Sequence, residues 1–318
     1  MISVVLPNYN GAKYLAETIR SVQAQTLTAW ELVIVDDGST DNSVAIAGEF
    51  ARQDARISVY SQENAGASAA RNYGLSRLRT DFPYVLYLDS DDLLLPDALK
   101  ILLTLLQLNP DAPAACGFLQ DIDAEGRLTD DRDRREALRA RRGVDGFRLA
   151  RRQPNAPLVF GDMCLRNYIT TPGQVLVRRS VLARVGAFDT SLSYAADYDL
   201  WWRLTMQSGP ILVTSDPVLR YRHHSASMSR NKAVVRRDEA DFRWRLLTHP
   251  AMSSAQRRTA RLGYFYRGWA GLETGLYYAR KGEVNQGLRH AALGAREMLL
   301  FARDSARVRR LSRSLSTS

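Results

Sequence analysis

Cysteine is scarce in this sequence, and long apolar runs are missing. Cys116 and Cys164 are the two cysteines among 318 residues, which excludes a disulfide framework and a paired-cysteine metal motif. No stretch without Asp, Glu, Lys or Arg is longer than 12 residues, as in Leu204 to Ser215. A membrane-spanning helix needs about 20 apolar residues. No basic and apolar leader follows Met1. We therefore expect a soluble, cytoplasmic protein.

Two glycine-rich phosphate-binding motifs are also absent. The first strand-like segment, Ile2–Leu6, is followed by Pro7–Gly11 and not by a G-x-G-x-x-G turn, which argues against a dinucleotide-binding Rossmann domain. No Walker-type loop with a glycine–lysine pair occurs either. A phosphate bound by this chain would have to be held by a metal ion instead.

The net charge of +10 is distributed unevenly along the chain. Residues 1–118 carry −6, residues 119–152 carry +2, residues 153–234 carry +4 and residues 235–318 carry +10. The acidic first third points to a cation or a cationic partner in that part. The basic last segment indicates a second, separate surface.

The first third alternates short apolar runs with amphipathic segments, which predicts a parallel α/β sheet. The predicted strands are Ile2–Leu6, Glu31–Val35, Ile57–Tyr60 and Tyr84–Leu88. The predicted helices are Lys13–Gln25, Ser43–Arg52, Ala67–Leu78 and Pro96–Leu108. Right-handed crossovers would place the polar loops that follow the strands together, at the edge where open sheets bind ligands.

Clustered carboxylates occupy two of these loops. The run Asp89-Ser90-Asp91-Asp92 follows a buried strand, where its charges repel one another unless a cation neutralises them. Oxygen ligands at this spacing suit Mg²⁺ or Mn²⁺, and a helix cap for the Pro96 helix is the alternative. The run Asp36-Asp37-Gly38-Ser39 likewise has two interpretations, a functional carboxylate cluster or a structural turn, because Asp-Gly is also a turn signal.

The rest of the chain divides into an arginine-rich segment, a return of strand patterns and a helical end. Residues 120–153, including Asp130–Arg142, predict an exposed, ion-paired helix or loop. Strand patterns return at Gln174–Val177 and Ile211–Val213, and helices begin near Val235. Two apolar stripes in the last part predict an antiparallel helix pair. They comprise Leu262, Phe265, Tyr266, Trp269, Leu272 and Leu276, and then Leu288, Ala292, Ala295 and Leu299.

Six passages, in order, resemble the family-2 nucleotide-sugar glycosyltransferases of GT-A fold, and together they cover about residues 1–232. They are Val4–Asn10, Val35–Asp41, Ala67–Gly74 with Arg71-Asn72, Leu88–Asp92, Arg178–Arg203 with Asp197-Tyr198-Asp199, and Tyr221–Ser229. The resemblance implies an open mixed sheet flanked by helices, with a Rossmann-like nucleotide-binding half and a C-terminal helical appendage. It also implies a nucleotide-diphosphate sugar donor, with uracil as the expected base and guanine or thymine as the alternatives.

The resemblance implies roles for individual residues in the nucleotide site. Tyr9 would stack its ring on the base, and Asp37 would accept a hydrogen bond from a base N–H. Arg71 would approach the phosphates, and Asp89 would hold the ribose or a metal-bound water. The residues so assigned are Pro7, Tyr9, Asn10, Asp37, Arg71, Asp89 and Ser90.

The resemblance further implies a metal site and a catalytic base. Asp91 would ligate Mn²⁺ or Mg²⁺, with His224 beside it and the adjacent His223 as the competing choice. Asp197 would take the proton of the acceptor hydroxyl, so that the attack inverts the anomeric configuration. Asp199 is the rival base, and the alternative for Asp197 is a helix-dipole role. Many relatives have Glu-Asp at this step, where this chain has Ala196-Asp197, so a supporting carboxylate is missing.

We predict three parts: a nucleotide-sugar-binding half at 1–118, an acceptor and catalytic-base half at 119–234, and a helical basic region at 235–318. The acceptor would be a glycan or a lipid-linked hydroxyl and would receive a single sugar, because the synthase motif Gln-x-x-Arg-Trp is absent. The basic region could be a helical cap, an oligomerisation element or a peripheral membrane contact. Nucleic acid is not expected, because no nucleic-acid motif accompanies the charge.

Two other functions stay open at this point. A catalytically silent module could bind a nucleotide sugar or a glycan on the same fold, although such a module would have no need of Asp197. A nucleotidyltransferase would also use a metal and an α/β sheet. It would be expected to carry a glycine-rich loop with basic residues after its first strand, and Pro7–Gly11 does not have that composition.

Overall fold

The computed structural model describes residues 1–129, 141–145, 148–225 and 232–315, which divide into two units. The described residues of Met1–Arg139, Gln153–Leu158 and Ile169–Asp238 form the first unit. Those of Ala140–Arg152, Val159–Tyr168 and Glu239–Ser318 form the second. The three-part division expected from the sequence stays a prediction.

The described strands and helices are numbered in chain order. The strands are β1 (Ile2–Asn8), β2 (Trp30–Asp36), β3 (Ile57–Ser61), β4 (Tyr84–Tyr87), β5 (Leu93–Leu94), β6 (Ala114–Ile122), β7 (Arg142–Asp145), β8 (Arg148–Arg151), β9 (Val175–Arg178) and β10 (Ile211–Arg222). The helices are α1 (Ala12–Gln23), α2 (Ser43–Gln53), α3 (Ala67–Arg77), α4 (Ala98–Gln107), α5 (Phe160–Leu165), α6 (Arg179–Val185), α7 (Ala196–Gln207), α8 (Lys232–Thr248), α9 (Ser254–Arg280) and α10 (Val284–Leu315).

The first unit is built on one eight-stranded sheet in the order β3-β2-β1-β4-β9-β6-β10-β5. The strands β3, β2, β1 and β4 pair in parallel, whereas β9 runs antiparallel to both β4 and β6. The predicted open mixed sheet flanked by helices is therefore confirmed. The four strands predicted in the first third are those that lie side by side, so their carboxyl ends meet at one edge.

The burial of β1 and β2 explains why they form the centre of this sheet. Every residue of both strands is buried, which is typical of parallel strands covered by helices on both faces. Helix α1 contributes Leu15, Ile19 and Val22 to the core, and α4 contributes a leucine-rich face. A rigid core of this kind holds the strand ends, and hence the loops after them, in fixed positions.

The second unit contains a hairpin that the sequence did not predict. We expected an exposed helix or loop here, but β7 and β8 pair antiparallel, and Arg141 is buried. Arg141 Nη2 donates to Asp162 Oδ2 at 2.8 Å, and Arg152 Nε donates to the other oxygen of that carboxylate at 3.2 Å. The expectation of exposure was wrong at this point because a buried partner on α5 neutralises the arginine. Residues 130–140 of the predicted exposed helix or loop lie outside the described residues.

The antiparallel helix pair predicted at the C-terminus is α9 and α10, and glycines form its seam. A Cβ placed on Gly275 would lie 2.7 Å from the Gly287 carbonyl oxygen. One on Gly268 would lie 2.9 Å from the Gly294 carbonyl oxygen. The helices thus approach through backbone, and the predicted apolar stripes lie beside the seam. No helix among the described residues combines the length and the apolar composition needed to cross a membrane.

Candidate active site

A cleft of about 690 Å³ lies in the first unit, where the loops after the parallel strands meet. The structure brings together all ten residues that the sequence assigned to the site. They are Pro7, Tyr9, Asn10, Asp37, Arg71, Asp89, Ser90, Asp91, Asp197 and His224. The cleft also contains residues that the sequence did not single out, which are Lys13, Tyr14, Asn64, Thr170, Thr171, Ser193, Tyr194 and Tyr221 among others.

The loop after β1 is fixed by hydrogen bonds to the loop after β2. Asn8 Nδ2 donates to Asp36 Oδ1 at 3.0 Å, and the Asn10 backbone N–H donates to Ser39 Oγ at 2.9 Å. Asn10 adopts a φ of 51°, which asparagine tolerates better than most side chains, and its Oδ1 accepts from the Thr40 N–H at 2.8 Å. Tyr9 is left 53% exposed in the cleft, so one face of its ring is available for stacking.

Asp37 is buried and holds the next loop. Its Oδ1 accepts from Gln62 Nε2 and from the Ala65 N–H, both at 2.8 Å, and its Oδ2 accepts from the Gly66 N–H at 2.8 Å. An ionised carboxylate has about four acceptor positions. These three bonds therefore leave Asp37 acceptor capacity toward the cleft while they fix its orientation.

Arg71 and Asp89 form an ion pair on the floor of the cleft. Arg71 Nη2 lies 2.5 Å from Asp89 Oδ1, and the guanidinium sits 5.0 Å from the centre of the Phe188 ring. Asn72 fixes Phe188 by donating to its carbonyl oxygen at 2.8 Å and accepting from its N–H at 3.0 Å. The pair Arg71-Asn72 therefore places a positive charge and its aromatic support together.

Asp91 and His224 meet across 133 residues of sequence. His224 Nε2 lies 2.7 Å from Asp91 Oδ2, and the imidazole ring packs 5.1 Å from the ring of Tyr14. The competing His223 lies instead 2.7 Å from Asp121 Oδ1, and its side chain is 47% exposed. Of the two histidines, His224 is the one that lines the cleft.

Two buried residues hold the acidic loop: Asp92, which belongs to the predicted metal or helix-cap run, and Arg222, which the sequence left without a role. The Arg222 backbone N–H donates to Asp92 Oδ1 at 3.1 Å, and its Nε donates to the Asp91 carbonyl oxygen at 3.0 Å. Arg222 Nη2 also donates to Glu17 Oε2 at 2.6 Å. Burial raises the pKa of Asp92 well above its ordinary value, and the charges of Asp91 and Asp89 raise it further. Arg222 could have been recognised from the sequence, because it precedes the two histidines in the last passage that resembles the family.

The donor set at this end of the cleft fits a divalent cation. Asp91 and His224 are an oxygen and a nitrogen ligand that converge, and excess negative charge surrounds them. Within the described ranges, no three side chains of His, Cys, Asp or Glu converge closely enough to hold a metal ion alone. Magnesium-type sites are commonly completed by substrate phosphates, so two protein ligands are compatible with such a site.

Asp197 lies in the first turn of α7, and the rest of this helix is packed in the core. Leu200, Trp201, Trp202 and Leu204 of this helix are fully buried. Burial raises the pKa of Asp197 to about 7, against the lowering effect of the nearby Arg71 charge. The rival Asp199 is fully buried and pairs with Arg203 Nε at 2.7 Å.

The loop before α7 is held by a residue that the sequence did not reveal. Asp238 Oδ2 accepts from the backbone N–H groups of Ser193, Tyr194 and Ala195 at 2.6, 2.5 and 3.2 Å. These three bonds fix the backbone that leads into α7. Asp238 is itself buried and fixes the approach to Asp197. Nothing in the pattern around Asp238 distinguishes it from the other charged residues of a basic helix.

Comparison with known proteins adds a family, a relative and two solved structures. The model of the family described as glycosyl transferase family 2 matches residues 3–182. An uncharacterized glycosyltransferase of Rickettsia typhi is 28% identical over 251 residues, which are 77% of this chain and 70% of that protein.

Both solved structures share the fold at low identity. S. aureus TarS 1–349 in complex with UDP-GlcNAc superposes with a TM-score of 0.58 and 19% identity, covering 92% of this chain and 90% of that one. The mannosyltransferase PcManGT from Pyrobaculum calidifontis, in complex with GDP-Man and Mn²⁺, gives a TM-score of 0.60 at 16% identity, covering 94% and 86%. At these identities the two structures establish the GT-A fold.

Proposed function

Because the chain belongs to glycosyl transferase family 2, we propose that it transfers one sugar from a nucleotide-diphosphate sugar to a hydroxyl group, with the help of a divalent cation. The proposed donor is UDP-linked, and the proposed acceptor is a glycan or a lipid-linked hydroxyl. The proposal keeps the cytoplasmic location expected from the sequence and includes peripheral attachment to the membrane through the C-terminal helices.

One observation carries the proposal: a single cleft contains a half-exposed aromatic ring, a pair of metal-type ligands and a carboxylate with a raised pKa. Tyr9 would stack on the base and Asp37 would accept from it. Asp91 and His224 would hold Mn²⁺ or Mg²⁺, which would neutralise charge on the departing diphosphate when bound. Arg71, Asp89 and Ser90 would orient the nucleotide and its phosphates.

Asp197 would act as the general base. Its carboxylate would take the proton of the acceptor hydroxyl while that oxygen forms a bond to the anomeric carbon. The bond between this carbon and the diphosphate oxygen would break on the opposite face, so that the configuration inverts. A base with a pKa of about 7 is suited to operate near neutral pH. The ion pair of Asp199 with Arg203 supports the choice of Asp197.

The proposal is tested by thermal stabilisation with a panel of UDP-, GDP- and dTDP-linked sugars, with Mn²⁺ and with a chelator. We expect one class of donor to raise the melting temperature in the presence of Mn²⁺ and to lose this effect with chelator. Asp91→Asn should lose the metal-dependent shift, whereas Asp111→Asn, an exposed carboxylate outside the cleft, should keep it. The proposal would be refuted if no donor gave a metal-dependent shift.

A further inference from the structure

Seven large hydrophobic side chains of the helix pair α9 and α10 are exposed in the part that the structure describes. Among them, Trp269 is 43% exposed, Leu276 61%, Leu288 64% and Leu299 73%. We call these four residues the apolar face. Exposed apolar side chains mark a contact with a protein or a membrane where they share one surface, whereas scattered ones are normal.

The glycine seam shows that both helices present these side chains on the same side. Gly275 of α9 lies against Gly287 of α10. Tyr278 and His290 each follow their seam glycine by three residues, and their rings stack at 5.2 Å with an interplanar angle of 12°. Equal offsets from the seam therefore fall on the same side of this antiparallel pair.

The residues of the apolar face follow the seam residues by one position instead of three. Leu276 follows Gly275 by one residue, and Leu288 follows Gly287 by one residue. One residue is about 100° of helical rotation and three are about 300°, so these leucines lie on the side of the pair opposite the stacked rings. Trp269 follows the seam residue Gly268, and Leu299 follows Met298, whose side chain lies against Gly268. The four side chains thus share one surface.

Arginines bound this surface at helical spacing. The α9 stripe that includes Trp269 and Leu276 begins four residues after Arg258 and ends four residues before Arg280. The α10 stripe is followed, four residues after Leu299, by Arg303. All three arginines are exposed. The helices together contain twelve basic and three acidic residues, a net charge of +9.

We infer that the apolar face lies on the surface of an anionic phospholipid bilayer, with its leucines and Trp269 in the interfacial layer and the flanking arginines on lipid phosphates. An apolar surface with a mainly basic rim matches that layer in both polarity and charge. The carboxylate beside it, Glu273, accepts from Trp269 Nε1 at 3.0 Å and is paired with Arg142 at 2.7 Å. A second copy of the chain is a poorer occupant, because it would bring like-charged arginines against one another. The inference deepens the peripheral attachment included in the proposed function and rests on it in that respect.

The test is flotation of the full chain with vesicles of phosphatidylcholine alone and of phosphatidylcholine mixed with phosphatidylglycerol. The decisive variant replaces all four residues of the apolar face by serine. The matched control is Leu293→Ser on α10, because Leu293 is 55% exposed but follows Gly287 by six residues and so lies on the other side. Circular dichroism checks that both variants fold.

We expect the wild type to float with the anionic vesicles, and to be released by high salt. The fourfold variant should lose on the order of tenfold or more in partitioning, whereas Leu293→Ser should match the wild type. Equal flotation of the wild type and the fourfold variant, or no flotation of the wild type, would overturn the inference. The inference would also be overturned if the wild type and Leu293→Ser formed dimers without lipid while the fourfold variant was monomeric.

The donor panel separates this inference from the proposed function. The fourfold variant should keep the donor-dependent rise in melting temperature, because none of its substitutions lies in the cleft. Loss of the donor effect in the wild type, with vesicle binding retained, would remove the proposed function and leave the lipid-binding face. A retained donor effect without vesicle binding would support the proposed function and exclude the lipid-binding face.

Discussion

Replacement of Asp197 by asparagine should make the protein more stable and less active. The native state raises the pKa of this carboxyl group from an ordinary value of 3.8 to about 7, chiefly through burial. One pKa unit corresponds to about 1.36 kcal/mol, so a shift of this size costs the native state up to about 4 kcal/mol once the group is ionised. Asparagine carries no charge, and its Oδ1 can still accept from the Tyr198 N–H, which lies 2.7 Å from Asp197 Oδ1.

The sign of the effect depends on pH. Below the unfolded pKa, the carboxyl group is protonated in both states, and there is no difference between Asp197 and asparagine on this account. As pH rises from about 4 to 7, the unfolded chain releases its proton first, so the stability of the wild type falls relative to the variant. The gain of Asp197→Asn should therefore be small near pH 4 and reach its maximum above pH 7.

Melting temperatures of both proteins between pH 5 and pH 8 measure this gain, with Asp111→Asn as a control that should show none. Sugar transfer by Asp197→Asn should fall by about 10²- to 10⁴-fold, the usual contribution of a general base. A variant that is less stable than the wild type at pH 8, or one that retains full activity, would refute the reasoning.

Further predictions concern the pH profile and three other positions. The wild-type kcat/KM should rise with pH through about 7, because Asp197 must be ionised to accept a proton, and a flat profile would contradict this. Gly275→Ala should lower the melting temperature, although alanine usually stabilises a helix by about 1 kcal/mol, because the new Cβ would meet the Gly287 carbonyl oxygen; a higher melting temperature would contradict the seam. Asp238→Asn should lower kcat on the order of tenfold at an unchanged donor KM, as expected for a residue that positions the loop before α7; a change in donor KM alone would speak against that role. Tyr9→Ala should raise the donor KM on the order of tenfold, while Tyr9→Phe should not, because stacking needs only the ring; equal effects of both would exclude stacking.

The sequence predicted the edge of the sheet at which the site lies. The loops after β1, β2 and β4 had to meet because these strands are parallel neighbours, and their carboxylates were visible in the sequence. The contact between Asp91 and His224 could not be predicted from the order of the strands. It joins residues 133 positions apart, and only the family resemblance connected them.

Other features depended on contacts that no local pattern shows. The arginine-rich segment predicted solvent exposure, but Arg141 is buried against Asp162, a partner 21 residues away. The apolar stripes of the last two helices suggested a seam, yet the helices meet through Gly268 and Gly275, because small residues allow closer packing than leucine. Charge and hydropathy patterns indicate the burial that is typical of a residue type. In both of these cases the burial was determined by a specific contact in the folded protein.

The central claim is that Asp197 activates an acceptor in a metal-dependent donor cleft. It is tested most directly by the release of nucleoside diphosphate from whichever donor stabilises the protein, measured for the wild type, Asp197→Asn and Asp111→Asn. We predict release by the wild type and by Asp111→Asn with Mn²⁺ but not with chelator. We predict release slower by about 10²- to 10⁴-fold for Asp197→Asn, although that variant still binds the donor. Release by Asp197→Asn at the wild-type rate would contradict the claim.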